Sequence, residues 1–265
     1  MMKILFLLLI SLHLYALKAV YTTGEVENNV LKVYMHNENL FDITYKYHAT
    51  YKNLLPQQKL PIEKSIQANT KELILSFKIL KKYTLKGTYN WAEGNVNTKH
   101  NDMYIYRLPY ALHTIQKITQ GHNGKFSHQG NSKYAIDFGM KVGTKVYAAR
   151  EGVVAALKED SNKHGNTLSF AKHANYITIK HDDGSYAKYT HLKKNSVFLG
   201  LGHRVNRGDL IALSGNTGFT NGEHLHFLVY KGKNYRQRDS IAVKFITKRG
   251  ILCNLKKGES YYSVP

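Results

Sequence analysis

Apolar and polar residues alternate in short runs along much of the chain. Val30-Leu31-Lys32-Val33-Tyr34-Met35 and Leu73-Ile74-Leu75-Ser76-Phe77-Lys78-Ile79-Leu80 are such runs, and this period suits strands rather than helices. Pro56 and Pro61 bracket a polar connection, and only Gly24, Gly87 and Gly94 interrupt residues 20–106. No capped segment with helical periodicity is evident there. The pattern predicts a small β-sandwich-like domain over residues 20–105, with no visible chemistry of its own.

The texture changes near Leu108-Pro109-Tyr110, after which 17 of the 20 glycines are found. Apolar segments at residues 134–138, 145–149, 152–157, 176–181, 186–192, 209–214 and 224–230 are separated by Gly, Asn and Asp turns. They predict a Gly-rich antiparallel β domain over residues 106–265, its last part a C-terminal extension, and an all-β chain as a whole.

Charge adds a second asymmetry. The chain has 38 Lys+Arg against 18 Asp+Glu, a formal +20. Residues 20–105 hold 11 basic and 8 acidic side chains, and residues 106–265 hold 25 and 10. Such a field draws the second unit towards a polyanion, whether nucleic acid, anionic lipid or an acidic wall polymer. At the N-terminus, Lys3 precedes the apolar run from Ile4 to Ile10, and small residues follow at Ala16 and Ala19. Residues 1–19 therefore read as a secretory signal peptide, which implies export to the periplasm or the extracellular wall. No later stretch approaches eighteen consecutive apolar residues, so no integral membrane segment is expected after signal removal. The single cysteine, Cys253, provides neither an intrachain disulfide nor an N-terminal lipid site.

The candidate chemistry lies among the histidines of the second unit. His224-Leu225-His226 opens the apolar strand Phe227-Leu228-Val229-Tyr230, so alternation points both imidazoles to one face. Tyr134-Ala135-Ile136-Asp137-Phe138 sets a carboxylate among apolar neighbours, where a cationic partner is expected. His191 closes the strand Tyr186-Ala187-Lys188-Tyr189-Thr190, on the face of Tyr189 by simple alternation.

Together these segments resemble the LytM/lysostaphin-type zinc endopeptidases. Ser127-His128, Tyr134-Ala135-Ile136-Asp137-Phe138, Gly143-Thr144-Lys145-Val146-Tyr147-Ala148-Ala149, Tyr189-Thr190-His191-Leu192, Ser214-Gly215-Asn216-Thr217-Gly218 and His224-Leu225-His226-Phe227 are similar to the family's motifs and stand in the same order. The resemblance covers roughly residues 108–230. It implies that His128, Asp137 and His226 bind one Zn²⁺ per chain and that His191 and His224 serve catalysis. Three N/O ligands with an open position also suit hydrolytic zinc chemically.

Two departures stand out. Eight residues separate His128 from Asp137, against a usual three, and Gln129-Gly130-Asn131-Ser132 is turn-like enough to loop out the excess. His122 is the alternative first ligand. Glu223 stands where many members carry proline.

The function expected from this resemblance is an exported zinc endopeptidase that hydrolyses cross-link or stem peptides of bacterial peptidoglycan. The alternative is an inactive relative that binds and activates another wall hydrolase. No nucleic-acid partner is expected, because no motif interleaves basic and aromatic residues for that purpose. Residues 20–105 are expected either to cover the zinc groove and restrain it, or to target or support the enzyme.

Overall fold

The computed structural model describes residues 20–265; the expected signal peptide, residues 1–19, lies outside them. The first unit consists of β1 (Val20–Glu27), β2 (Val30–Asn37), β3 (Ile43–Pro56), β4 (Ile62–Ile66) and β5 (Thr70–Glu93). They form one antiparallel sheet in the order β1-β2-β5-β3-β4. A β-sandwich is thus replaced by a single sheet. The reason is the length of β5: its 24 residues pair with β2 over the first part and with β3 over the rest, so strands that would divide between two layers stay hydrogen-bonded in one.

The second unit is built on a nine-stranded antiparallel sheet. Its central strands are Tyr176–Lys180, Tyr186–Thr190, Leu225–Asn234 and Ile136–Gly139, in that spatial order. Each of the seven apolar segments read from the sequence contains a strand. The C-terminal extension belongs to the same fold, because Ser260–Tyr262 is an edge strand of the main sheet, pairing with Ile115–Gln120.

Alternation gives this sheet two distinct faces. Ile177, Ile179, Ala187, Tyr189, Leu225, Phe227 and Val229 point into the main core, with Tyr106, Tyr110, Phe138 and Phe245. The other face carries Tyr176 and Lys180, Tyr186 and Lys188, and His226, Leu228 and Tyr230. The first unit packs over one end of that face, where Tyr186, Leu228 and Tyr230 join Ile43, Tyr45, Tyr47 and Phe77 in a second apolar cluster. Burial of a side chain such as Leu228 contributes about 1.5–3 kcal/mol.

Polar contacts fix this docking. Asp42 accepts from Lys180 Nζ at 2.7 Å, its backbone N–H donates to the Tyr186 hydroxyl at 3.0 Å, and Glu93 accepts from Arg238 Nη1 at 3.2 Å. Gly94 and Gly232 lie back to back: a Cβ on Gly94 would stand 2.4 Å from the Gly232 nitrogen. Among the described residues no helix is long and apolar enough to cross a membrane.

Candidate metal centre and groove

The uncovered end of the same face carries the chemistry. Antiparallel register sets His226 directly opposite Asp137 on one side and Thr190 on the other. His128 arrives from the loop after Ile115–Gln120, and its ring is fully buried. The extra residues between His128 and Asp137 are taken up by a short 3₁₀ turn, Gly130–Ser132, so the long spacing leaves the two side chains adjacent.

His128 Nε2 lies 3.0 Å from Asp137 Oδ1, and His226 Nδ1 lies 2.9 Å from the same oxygen. The two ring nitrogens are 3.3 Å apart. His128 Nδ1 donates to the Gly121 carbonyl at 2.8 Å, which leaves the lone pair of a neutral Nε2 facing the carboxylate. Three electron-pair donors crowded this closely favour a cation among them, and two imidazoles with one carboxylate match zinc. The residues present therefore fit the ion. His122 is not part of this group; it stands edge-on to Tyr134, with ring centroids 5.3 Å apart.

The surroundings hold each side chain in place. Gln120, absent from the sequence reading, donates through Nε2 to Asp137 Oδ2 and to Ser127 Oγ, both at 2.9 Å, and accepts from the Phe126 N–H at 3.1 Å. For His226, burial dominates and lowers the imidazole despite Asp137.

His191 and His224 flank this cluster. Their ring centroids are 4.6 Å apart, and His191 is 5.9 Å from His226. Simple alternation would put His191 beside Tyr189 in the core. It does not, because the strand ends at Thr190 and His191 takes a left-handed φ of 67° that swings its ring to the groove side. The ring is tied there by Nδ1 donating to the Thr217 carbonyl at 2.6 Å. Gly215 permits the close approach of this loop, since a Cβ there would lie 2.5 Å from the Lys193 nitrogen. His224 Nδ1 likewise donates to the Gly222 carbonyl at 2.8 Å. Both residues thus turn Nε2 towards the centre. Burial, then the neighbouring His224 and His226, push His191 down to about 3, so it is a neutral base at ordinary pH.

The cluster opens into a groove of about 670 Å³. Phe126 and Phe219 form part of its wall, with ring centroids 4.9 Å apart. No residue of 20–105 lines it. The first unit stands at the far end of the sheet face instead of over the histidines, because its apolar partners, Tyr186, Leu228 and Tyr230, are there.

Residues 131–238 match the profile of Peptidase family M23. That stretch is an M23 peptidase domain. It contains Asp137, His191, His224 and His226, while His128 stands just ahead of it. An uncharacterized metalloprotease of Buchnera aphidicola is 30% identical over 178 residues, which are 65% of this chain and 36% of that protein. The peptidoglycan DD-endopeptidase ShyA of Vibrio cholerae is 34% identical over 126 residues, 47% of this chain and 24% of that protein. The chain thus spans well under half the length of these relatives. Among solved structures, a zinc containing peptidase from Vibrio cholerae shares 16% identity over 83% of each chain, with a TM-score of 0.38.

Proposed function

We propose that this chain is an exported zinc-dependent endopeptidase acting on peptide bonds of bacterial peptidoglycan. His128, Asp137 and His226 hold the metal, and His191 and His224 handle protons. The observation that carries this reading is the convergence of three ligand atoms, all within 4.8 Å of one another, beside two further imidazoles at the end of an open groove. The naming of the related ShyA as a peptidoglycan endopeptidase supports the substrate class, and the basic second unit suits an anionic wall. The pattern of residues 1–19 supports export.

When bound, zinc supplies Lewis acidity, polarising a carbonyl and lowering the pKa of water. The chain does the rest. Gln120 and Gly121 fix the ligands from behind, the Thr217 and Gly222 carbonyls fix the tautomers of His191 and His224, and their Nε2 atoms face the place where a scissile bond would lie. A neutral Nε2 can take a proton from water, and the protonated ring can give it to the leaving amine. Zinc content of wild type and His226→Ala tests the ligand set; equal content in both would count against it.

A further inference from the structure

Beyond the histidines, the groove floor has a polarity that the proposed proton chemistry does not use. Its lining includes four cations, Lys158, Lys172, Lys188 and Arg238, and no carboxylate. Lys158 is neutralised by Asp160, with Nζ 2.5 Å from Oδ1. Arg238 is held by Glu93 at 3.2 Å and lies over the Tyr230 ring at 4.8 Å, which leaves guanidinium donors unused. Lys188 differs from both. Its Nζ sits 3.7 Å over the Tyr176 ring and forms no ion pair or hydrogen bond among the described residues. Burial, with repulsion from Arg238 and only partial relief from Glu93, lowers its ammonium to about 8. An ammonium kept in such surroundings is costly unless an anion joins it.

The register gives the distance. Lys188 is the cross-strand partner of Leu228, and Leu228 stands two residues along the strand from His226. At about 3.3 Å per residue that is roughly 7 Å, the reach of about two residues of extended peptide.

We propose that Lys188, with Arg238 beside it, forms a carboxylate subsite that sets specificity: it takes an anionic group carried by the substrate peptide about two residues from the bond that is cut. This rests on the endopeptidase reading above. It also gives the first unit a part in recognition, since Glu93 at the end of β5 is what holds Arg238 at the groove end.

The test is binding to the full mature chain stripped of metal, so that turnover is not needed. The probes are a synthetic cross-linked dimer of peptidoglycan stem peptides with free carboxylates and the same cross-linked peptide with those groups amidated. Wild type is expected to bind the free-carboxylate peptide roughly tenfold or more tightly, as charge-assisted hydrogen bonds do. Lys188→Met should lose most of the preference, with Arg238 holding the remainder, and Lys188→Arg should keep it. Equal affinity in wild type, no binding of either peptide, or a preference undiminished in Lys188→Met overturns the subsite. The wild-type comparison stands even if a variant fails to fold. A metal-loaded enzyme that cleaves neither peptide while the binding preference persists defeats the peptidase reading alone; cleavage of both peptides at the same kcat/KM defeats the subsite alone.

Discussion

Replacing Gln120 by Leu probes how far the metal centre depends on what stands behind it. The side chain is 8% exposed and bridges the strand of Asp137 to the loop that delivers His128, through Asp137 Oδ2, Ser127 Oγ and the Phe126 N–H. Gly124 makes room for it, because a Cβ there would stand 2.2 Å from Gln120 Cγ. Leu has similar volume but no donor, so Asp137 Oδ2 would lose this partner in a site only 5% exposed. Leaving a buried acceptor unmet costs about 1–3 kcal/mol, which should appear as a lower denaturant midpoint of the metal-free protein. Loss of an orienting partner behind a metal ligand commonly weakens metal binding about 10–100-fold, about 1.4–2.7 kcal/mol. Chelator competition reads the second effect directly. A Gln120→Leu protein that binds zinc within twofold of wild type and unfolds at the same midpoint would refute the positioning role.

Other outcomes follow from the same geometry. His191→Ala and His224→Ala should keep zinc and fold yet lose roughly a hundredfold to ten-thousandfold in turnover, read as muropeptide release beside metal content. Burial lowers His181 from 6.5 to about 4 against the opposing Glu151 carbonyl. The unfolded chain therefore binds a proton in this window that the folded chain refuses: stability is full above about pH 6.5, falls as pH drops towards 4, and loses up to about 3 kcal/mol from this residue. Denaturation series across pH should show that slope, and it should flatten in His181→Gln. Removing residues 20–105 uncovers Tyr186, Leu228 and Tyr230, so the shortened protein should unfold at lower denaturant and digest peptidoglycan no faster; faster digestion at equal folded concentration would restore an inhibitory role for the first unit.

Much of this architecture is legible in the chain because alternation reports burial directly. Leu225, Phe227 and Val229 turn inward while His226 does not, and that much follows from the period of two. What alternation does not carry is partnership. Nothing local says that Asp137 pairs with His226 or that Lys188 pairs with Leu228. His191 breaks its own strand's alternation through a left-handed φ, which no residue type there announces. The sandwich expected of the first unit gave way to one sheet because strand length, unlike strand existence, is weakly marked: β5 runs on through Lys81-Lys82-Tyr83 without a glycine or proline to end it. Gln120 and Thr217 act through a side-chain amide and a backbone carbonyl, groups that leave no motif, so only their contacts show them.

The most direct test of the central claim is digestion of purified peptidoglycan by the mature zinc-loaded chain, with the released muropeptides read by mass. The account predicts that peptide-linked products shorten by hydrolysis of amide bonds, each cut adding one water, and that chelation abolishes this while added zinc restores it. An unchanged muropeptide profile from a folded protein carrying one zinc per chain would contradict it and favour a relative that binds the wall without cutting.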